Sequence, residues 1–366
     1  MVGAKIAAPD DAALTVLCER LAELAVDLDQ SGDWPAEQLR LCGEHGVFEW
    51  FLPEEWGGLA WDAEAITRGY LALSGACLTT TFIITQRTGA CRRIAASANR
   101  PLQEKLLPGL VSGDTFATVG ISHLTTSRRH LARPVLRAER RPGGFVLSGF
   151  SPWVTGAAHA GHVVVGASLM HDNAATGEEL LVAAPADLPG VTVPEPAKLT
   201  ALSSSHTGEA RFDQVFVEDE WLVDGPKENV MGGGTGASTG GLQTSTLALG
   251  LSRKAVEYLE DEASRRVDLD EPAGALRQDY EDLQARLLTA LGGGEDSESK
   301  DDIRTDANSL ALRATQAALA AAKGSGYVLG HPAGRWCREA LFFLVWSCPQ
   351  PVIQANLCEL SGVGSV

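Results

Sequence analysis

The strongest constraint on how this chain can fold is a double change of hydrophobic period. Apolar residues recur at three and four near both ends, and at two, in short runs, across the middle. A helix returns a side chain to one face every 3.6 residues and a strand every two, so helical ends should flank a β middle. Leu14, Leu17, Leu21, Leu24 and Leu28 form one helical stripe, with Asp10 or Asp11 placed to cap it. Pro35 can open a second helix reaching about residue 46. An apolar segment at 46–59 is broken by Pro53 and Gly57-Gly58, helical patterns resume to about 98, and 101–110 is a short helix. Short runs at 116–121, 135–139, 144–147, 162–169, 179–184 and 190–193 are separated by Gly, Pro, Asp and Asn, which is strand and turn chemistry. Ala210 and Phe212 are out of phase with Val215 and Val217, which predicts a bulge at Asp213-Gln214. Beyond a Gly-rich stretch at 231–241, one stripe is Leu247, Leu251, Ala255 and Tyr258. Another is Leu276, Tyr280, Leu283, Leu287 and Leu291. An Ala-rich helix follows at 301–322, and a last one begins near Pro351. The pattern predicts an α+β chain: an N-terminal helical domain (1–114), a small central β-barrel-like domain (115–226) and a C-terminal four-helix bundle (227–366).

Composition excludes several functions. A length of 366 residues exceeds what one core usually serves, and 45% hydrophobic with 21% charged residues is ordinary for a globular chain. A net charge of -17 repels phosphate backbones, so no nucleic-acid partner is expected. Seven scattered cysteines, none in a CxxC pair, suit reduced thiols in a cytoplasmic protein rather than a disulfide framework or a zinc site. Asp10 and Asp11 with no apolar core near them give no sign of a signal peptide, and the apolar run at 340–346 is too short to cross a bilayer.

Local chemistry is concentrated at 148–156. Trp153 and Thr155 are two apart in an extended segment, so an indole and a hydroxyl should share one face. That pairing suits the edge of a planar heteroaromatic such as a flavin; a core Trp beside a turn Thr is the plainer alternative. Ser122-His123 follows the first strand and could supply a hydrogen-bond donor there, or be an exposed loop pair. His159 and His162 have no Cys or carboxylate at ligand spacing, so no metal is expected. Residues 231–241 lack the Lys-Ser/Thr ending of a phosphate-gripping loop and read as a hinge. Arg128, Arg129, Arg133, Arg137, Arg140 and Arg141 could grip phosphate or form a solvated face.

Taken in order, six motifs resemble the acyl-CoA dehydrogenase superfamily. Leu52-Pro-Glu-Glu-Trp-Gly-Gly58 is similar to its Pro-Glu-x-x-Gly-Gly turn, and Leu107-Pro-Gly-Leu-Val-Ser-Gly113 to the Leu-Pro-x-Leu-x-x-Gly that enters its β-domain. Ser148-Gly with Trp153-Val-Thr155 resembles the Asn-Gly-x-Lys-x-Trp-Ile-Thr signature, whose Trp and Thr pack on the flavin ring and bond near its reactive nitrogen. Phe212-Asp-Gln-Val-Phe-Val217 resembles the strand that closes the domain. Lys323-Gly-Ser-Gly-Tyr327 with Pro332, and Arg335 with Arg338-Glu-Ala340, fall on the last two motifs. The resemblance implies FAD, with Phe116, Thr118, Val119, Ser122, Trp153, Thr155, Arg266 and Gly324 as contacts.

The departures bear on function. The family's Tyr-Glu-Gly-Thr becomes Trp346-Ser-Cys-Pro349, which puts Ser347 where the relatives' proton-abstracting carboxylate stands. The alternative location of that Glu falls near Gly240 and Gly241. Leu269 replaces the Phe of an Arg-x-x-Phe clamp, Ala320 a flavin-reaching Gln, and Val119-Gly-Ile121 a Thr-Glu-Pro turn. The resemblance therefore implies a flavin oxidoreductase on an acyl thioester, served by an electron-transfer partner, with Ser347, Ser122 and His123 at the reacting centre. A monooxygenase fed by a flavin reductase, which needs no α-proton base, is one alternative; a non-catalytic subunit of a mixed assembly is another. A homotetramer or homodimer is expected, because the apolar 341–346 run needs a cover.

Overall fold

Capping and periodicity explain the first helix. Asp11 accepts from the Ala13 amide at 2.9 Å and starts α1 (Ala12–Ser31). Its buried face is Leu14, Leu17, Leu21, Ala25 and Leu28. Leu24 is only half-buried, because at 3.6 residues per turn the inward position falls on Ala25. The computed structural model describes residues 4–125, 134–232, 241–292 and 298–363. The N-terminal part continues with α2 (Ala36–Glu44), α3 (Ala63–Ala76), α4 (Leu78–Ala95) and α5 (Arg100–Ser112). Between α2 and α3, Trp50 stacks on Trp61 with ring centroids 4.3 Å apart, in a space that Gly69 of α3 leaves open.

The middle forms one sheet from β1 (Ala117–Gly120), β2 (Leu136–Arg141), β3 (Gly144–Thr155), β4 (His162–His171), β5 (Ala174–Pro185), β6 (Val191–Thr192), β7 (Thr207–Glu218) and β8 (Leu222–Glu228). A short helix, α6 (Ser122–Thr125), follows β1. The strand order is β6-β7-β3-β2-β4-β5-β8, with β1 parallel to the first half of β4 and β2 parallel to its second half. The hydrogen-bonded path between β6 and β8 is open, so the barrel-like expectation holds only as a strongly mixed sheet. One face buries Leu136, Phe145, Leu147, Phe212, Val215 and Val217; the other sets Ala117, Val119 and Val164 against α4 and α5. The bulge lies where the phase change predicts it: the β3–β7 register jumps between Leu147 and Gly149, and Gln214 has φ 52°. Two strands differ from expectation. β3 continues eight residues past Leu147, and β8, through Asp224-Gly-Pro226, is a strand for which the sequence shows no separate run. Pro226 is tolerated because β8 is an edge strand.

The C-terminal part packs α7 (Leu242–Ala263), α8 (Asp270–Leu291) and α9 (Lys300–Ala322) side by side. The fourth position is a broken run of α10 (Pro332–Ala340), a 3-10 turn (Leu341–Leu344) and α11 (Gln350–Ser361). Residues of α1, α3 and α4 share one continuous core with α7 to α10. Among the described residues no helix is long and apolar enough to cross a membrane.

On α10, Arg335 and Glu339 form a buried pair with Nε and Oε1 3.6 Å apart. Burial pushes the Glu339 carboxyl up from the ordinary 4.5 to about 7; Arg335 and Arg338 oppose the rise and Asp29 adds to it. Between those two values the folded chain holds more protons than the unfolded one. The contribution of this group to stability therefore falls as the pH rises from about 4.5 through about 7, and is flat above. Urea midpoints taken across that window should show this slope in the wild type and a smaller one in Glu339→Gln; equal slopes would refute the assignment.

Candidate functional site

The β3 end carries the densest set of candidate groups. Trp153 sits at the register shift between Ser151 and Val154 and is 50% exposed, whereas Thr155, two residues on, is 3% exposed. The β3–β7 register sets Thr155 directly opposite Thr207. Their hydroxyl oxygens are 2.9 Å apart, and that of Thr207 lies 2.8 Å from Ser205 Oγ. The Gly156 amide donates to the Ser205 and His206 carbonyls, tying the two turns together.

The same turn is anchored to the N-terminal helices. Ser204 Oγ donates to the Leu28 carbonyl at 2.7 Å, and His206 Nε2 lies 3.0 Å from the Gly32 carbonyl. A carbonyl only accepts, so His206 carries its proton on Nε2 and accepts at Nδ1 from His159 Nε2, 2.9 Å away. The Trp34 ring stacks on His159 at 4.1 Å and meets Phe116 edge-on at 5.5 Å. Burial, helped by His206, pushes the His159 imidazole below its ordinary pKa.

β1 lies beside this group. Thr118 is fully buried and its hydroxyl has no partner among the described residues. Gly120 faces Ser151 and Val154 so closely that a Cβ would sit 2.9 Å from Ser151 Oγ. Gly120 is thus built into the packing. Val119 points the other way, against Gly89 of α4, so its side chain belongs to the helix-facing core. Ser122 Oγ is buried without a partner among the described residues. His123 is buried with Nε2 2.8 Å from the Gly166 carbonyl, so its proton is on Nε2 and Nδ1 is left as an unpartnered acceptor. Burial lowers its pKa against the pull of Gly166. The neutral ring therefore offers an acceptor, where the sequence suggested a donor.

Two further groups lie in the C-terminal part. Arg266 donates to the Ala321 carbonyl at 2.7 Å and lies 3.6 Å from Glu262 and 3.5 Å from Asp268, near the exposed Gly324 loop. Ser347 is half-buried, with φ 46°, in the turn after the 3-10 segment. Arg304 of α9 holds that turn: Nη2 donates to the Phe343 and Trp346 carbonyls at 3.1 and 3.0 Å, and Nε to Asn308 Oδ1 at 2.9 Å. Arg304 is 1% exposed and has no carboxylate partner among the described residues; burial brings its pKa down to about 10. Beside it, burial raises the Cys348 thiol, Arg304 opposes the rise and Asp301 adds to it. Trp346 stacks on Phe342 at 5.0 Å, and both meet Phe82 of α4 edge-on at 4.9 Å. α4 thus runs from the Ser347 turn to β1.

Sequence reasoning missed Ser205, Thr207, Arg304 and Asn308. A lone arginine and asparagine inside an Ala-rich helical stripe were the available signal for the last two. Arg140 pairs with Asp219 and Arg141 with Glu139, while Arg137 is exposed. Arg128, Arg129 and Arg133, like most of the Gly-rich 231–241 stretch, lie outside the described residues. A cleft of about 1040 Å³ between Lys105, His162, Asp187, Phe216 and Trp221 contains none of the candidate site residues.

Residues 8–114 match the family model described as "Acyl-CoA dehydrogenase, N-terminal domain". The mitochondrial 2-methylacyl-CoA dehydrogenase of Solanum tuberosum is 24% identical over 351 residues, covering 89% of this chain and 82% of that protein. The solved glutaryl-coenzyme A dehydrogenase with glutaryl-CoA superposes with a TM-score of 0.80 at 18% identity, covering 97% of this chain and 96% of that one. These matches support membership of the acyl-CoA dehydrogenase superfamily. Its fold also matches that of a nitrososynthase from Micromonospora carbonacea, with a TM-score of 0.75, 20% identity and 95% and 94% of the two chains covered.

Proposed function

We propose that this chain is a flavin-dependent oxidoreductase acting on an acyl thioester or a related substrate, with FAD as the flavin. The observation that carries the reading is a half-exposed indole, Trp153, two residues before the buried hydroxyl of Thr155 at the end of β3. Three features on the sheet side fit a flavin. Trp153 offers a flat apolar surface. Thr118 and Ser122 hold buried hydroxyls that lack partners among the described residues, and His123 Nδ1 offers an acceptor. Isoalloxazine edges present both donors and acceptors, so this mixed set suits them. When bound, the flavin supplies two-electron redox chemistry; the chain's own residues orient it and keep water from its edge. Arg266 and the Gly324 loop would hold the nucleotide end.

The purified protein should be yellow, and its visible absorbance should bleach anaerobically with an acyl-CoA. Colourless protein that takes up no added FAD would sink the reading and favour a non-catalytic subunit.

A second reading rests on Ser347. A serine hydroxyl has no useful basicity at neutral pH, so ordinary desaturation lacks its base at this position. A flavin monooxygenase needs none. Substrate-dependent O₂ uptake with a flavin reductase supplied, and no anaerobic bleaching by acyl-CoA, would favour that alternative.

A further inference from the structure

We propose that Thr207 is a positioning residue that fixes Thr155 as a hydrogen-bond donor toward the space beside Trp153. The proposal rests on the flavin reading above and goes beyond it by assigning the direction of a proton. Three buried hydroxyls lie in a row, Ser205 Oγ to Thr207 Oγ1 at 2.8 Å and Thr207 Oγ1 to Thr155 Oγ1 at 2.9 Å. Each carries a single proton, so the row can run in two directions. A third arrangement, with both neighbours donating to Thr207, would leave the buried Thr207 proton without an acceptor among the described residues. Running outward, Ser205 donates to Thr207, Thr207 donates to Thr155, and the Thr155 proton points away from the row. Running inward, Thr155 donates to Thr207 and Thr207 to Ser205, which leaves the Ser205 proton in need of an acceptor. Among the described residues Thr207 is the only hydrogen-bond partner of Ser205 Oγ, and Ser205 is fully buried. A buried donor with no acceptor is the costly arrangement, and Thr155 is buried as Ser205 is. The outward direction is the cheaper one because the flavin of the reading above supplies an acceptor at the Thr155 end and nothing supplies one at the Ser205 end.

The row is not an accident of a loose loop. Ser205 N donates to Leu202 O at 2.9 Å, Ser204 Oγ to Leu28 O, and the Ser205 carbonyl accepts from Gly156 on the far side of Thr155. Thr207 is the first residue of β7 and directly faces Thr155 in the ladder.

A ring nitrogen of oxidised flavin accepts hydrogen bonds, and after two-electron reduction it carries a hydrogen. A Thr155 fixed as donor suits the first form and opposes the second, so Thr207 holds the flavin toward the oxidised side.

Thr207→Val is nearly isosteric and removes only the hydroxyl. With FAD bound, reductive titration against a reference dye should show the reduction equilibrium about tenfold more favourable, a midpoint roughly 30 mV higher for a two-electron couple. Thr207→Ser keeps the hydroxyl and should return the wild-type midpoint. Ser205→Ala should stay near it, because the Thr207 proton still has Thr155 as its only acceptor. Wild-type protein that binds flavin, with the same midpoint in Thr207→Val, would overturn the role of Thr207 and leave the flavin reading standing. Equal shifts in Thr207→Val and Thr207→Ser would also overturn it, as a packing effect. Wild-type protein that takes up no flavin would remove both.

Discussion

Ser347→Glu is expected to raise acyl-CoA dehydrogenation, read as anaerobic bleaching of bound flavin, by about 100-fold or more over the wild type. Removal of a carbon-bound proton needs a group that is close and unprotonated, and a positioned general base contributes about 10²–10⁴-fold. The turn already holds the residue in place: Arg304 and Asn308 grip its carbonyls, and Trp346 is stacked on Phe342. The backbone at 347 is left-handed with serine there, so a second L-residue adds little strain that serine does not already bear. The buried guanidinium of Arg304, which has no carboxylate partner among the described residues, would favour the ionised form of a nearby acid and keep it a base at neutral pH. Ser347→Gln supplies the same bulk without the basicity and should stay at the wild-type rate. Exchange of substrate α-hydrogens in D₂O should follow the same order. A Ser347→Glu protein that is folded and flavin-loaded, yet no faster than Ser347→Gln, would show that substrate geometry has changed along with the base.

How much of this site could be read in advance depends on whether a feature is local. The Asp11 cap and the bulge at Gln214 were legible because each is written in consecutive residues, as a capping side chain or a change of phase. The Trp153-Val-Thr155 segment was legible as an extended pair for the same reason. β8 was not: Asp224, Gly225 and Pro226 are turn formers, and only the sheet order reveals an edge position that tolerates them. Thr207 was hidden because its partner lies fifty-two residues away, and pairing is set by register rather than by either residue's type. The direction of Val119 was lost likewise, since alternation says that neighbours differ in face but not which face meets α4. The acceptor role of His123 needed the Gly166 carbonyl, which fixes the tautomer.

Gly250→Ala is expected to destabilise the protein by about 1–3 kcal/mol, the usual cost of overpacking a filled contact. Helix propensity alone predicts the reverse, since alanine exceeds glycine in a helix interior by about 1 kcal/mol. The structure decides the sign. α7 crosses α3 where Gly250 meets Gly75: a Cβ at 75 would lie 2.9 Å from the Gly250 carbonyl. A Cβ at 250 would overlap the Ser74 hydroxyl and approach the Leu71 carbonyl to 2.7 Å. Ser74 is committed to the Tyr70 carbonyl at 2.7 Å and cannot swing aside without losing that bond, so the helices must part. Their separation would open the core that α1, α3 and α4 share with α7 to α10, and with it the joint between the two helical parts of the chain. Gly274 of α8 supplies the contrast, because a Cβ there meets nothing within 4 Å. Gly274→Ala should therefore follow propensity and stabilise by up to about 1 kcal/mol. Denaturant midpoints that move in opposite directions for the two alanines are the expected result. A stabilised Gly250→Ala would mean that α3 and α7 are not in backbone contact, and the joint between the two helical parts would have to be redrawn.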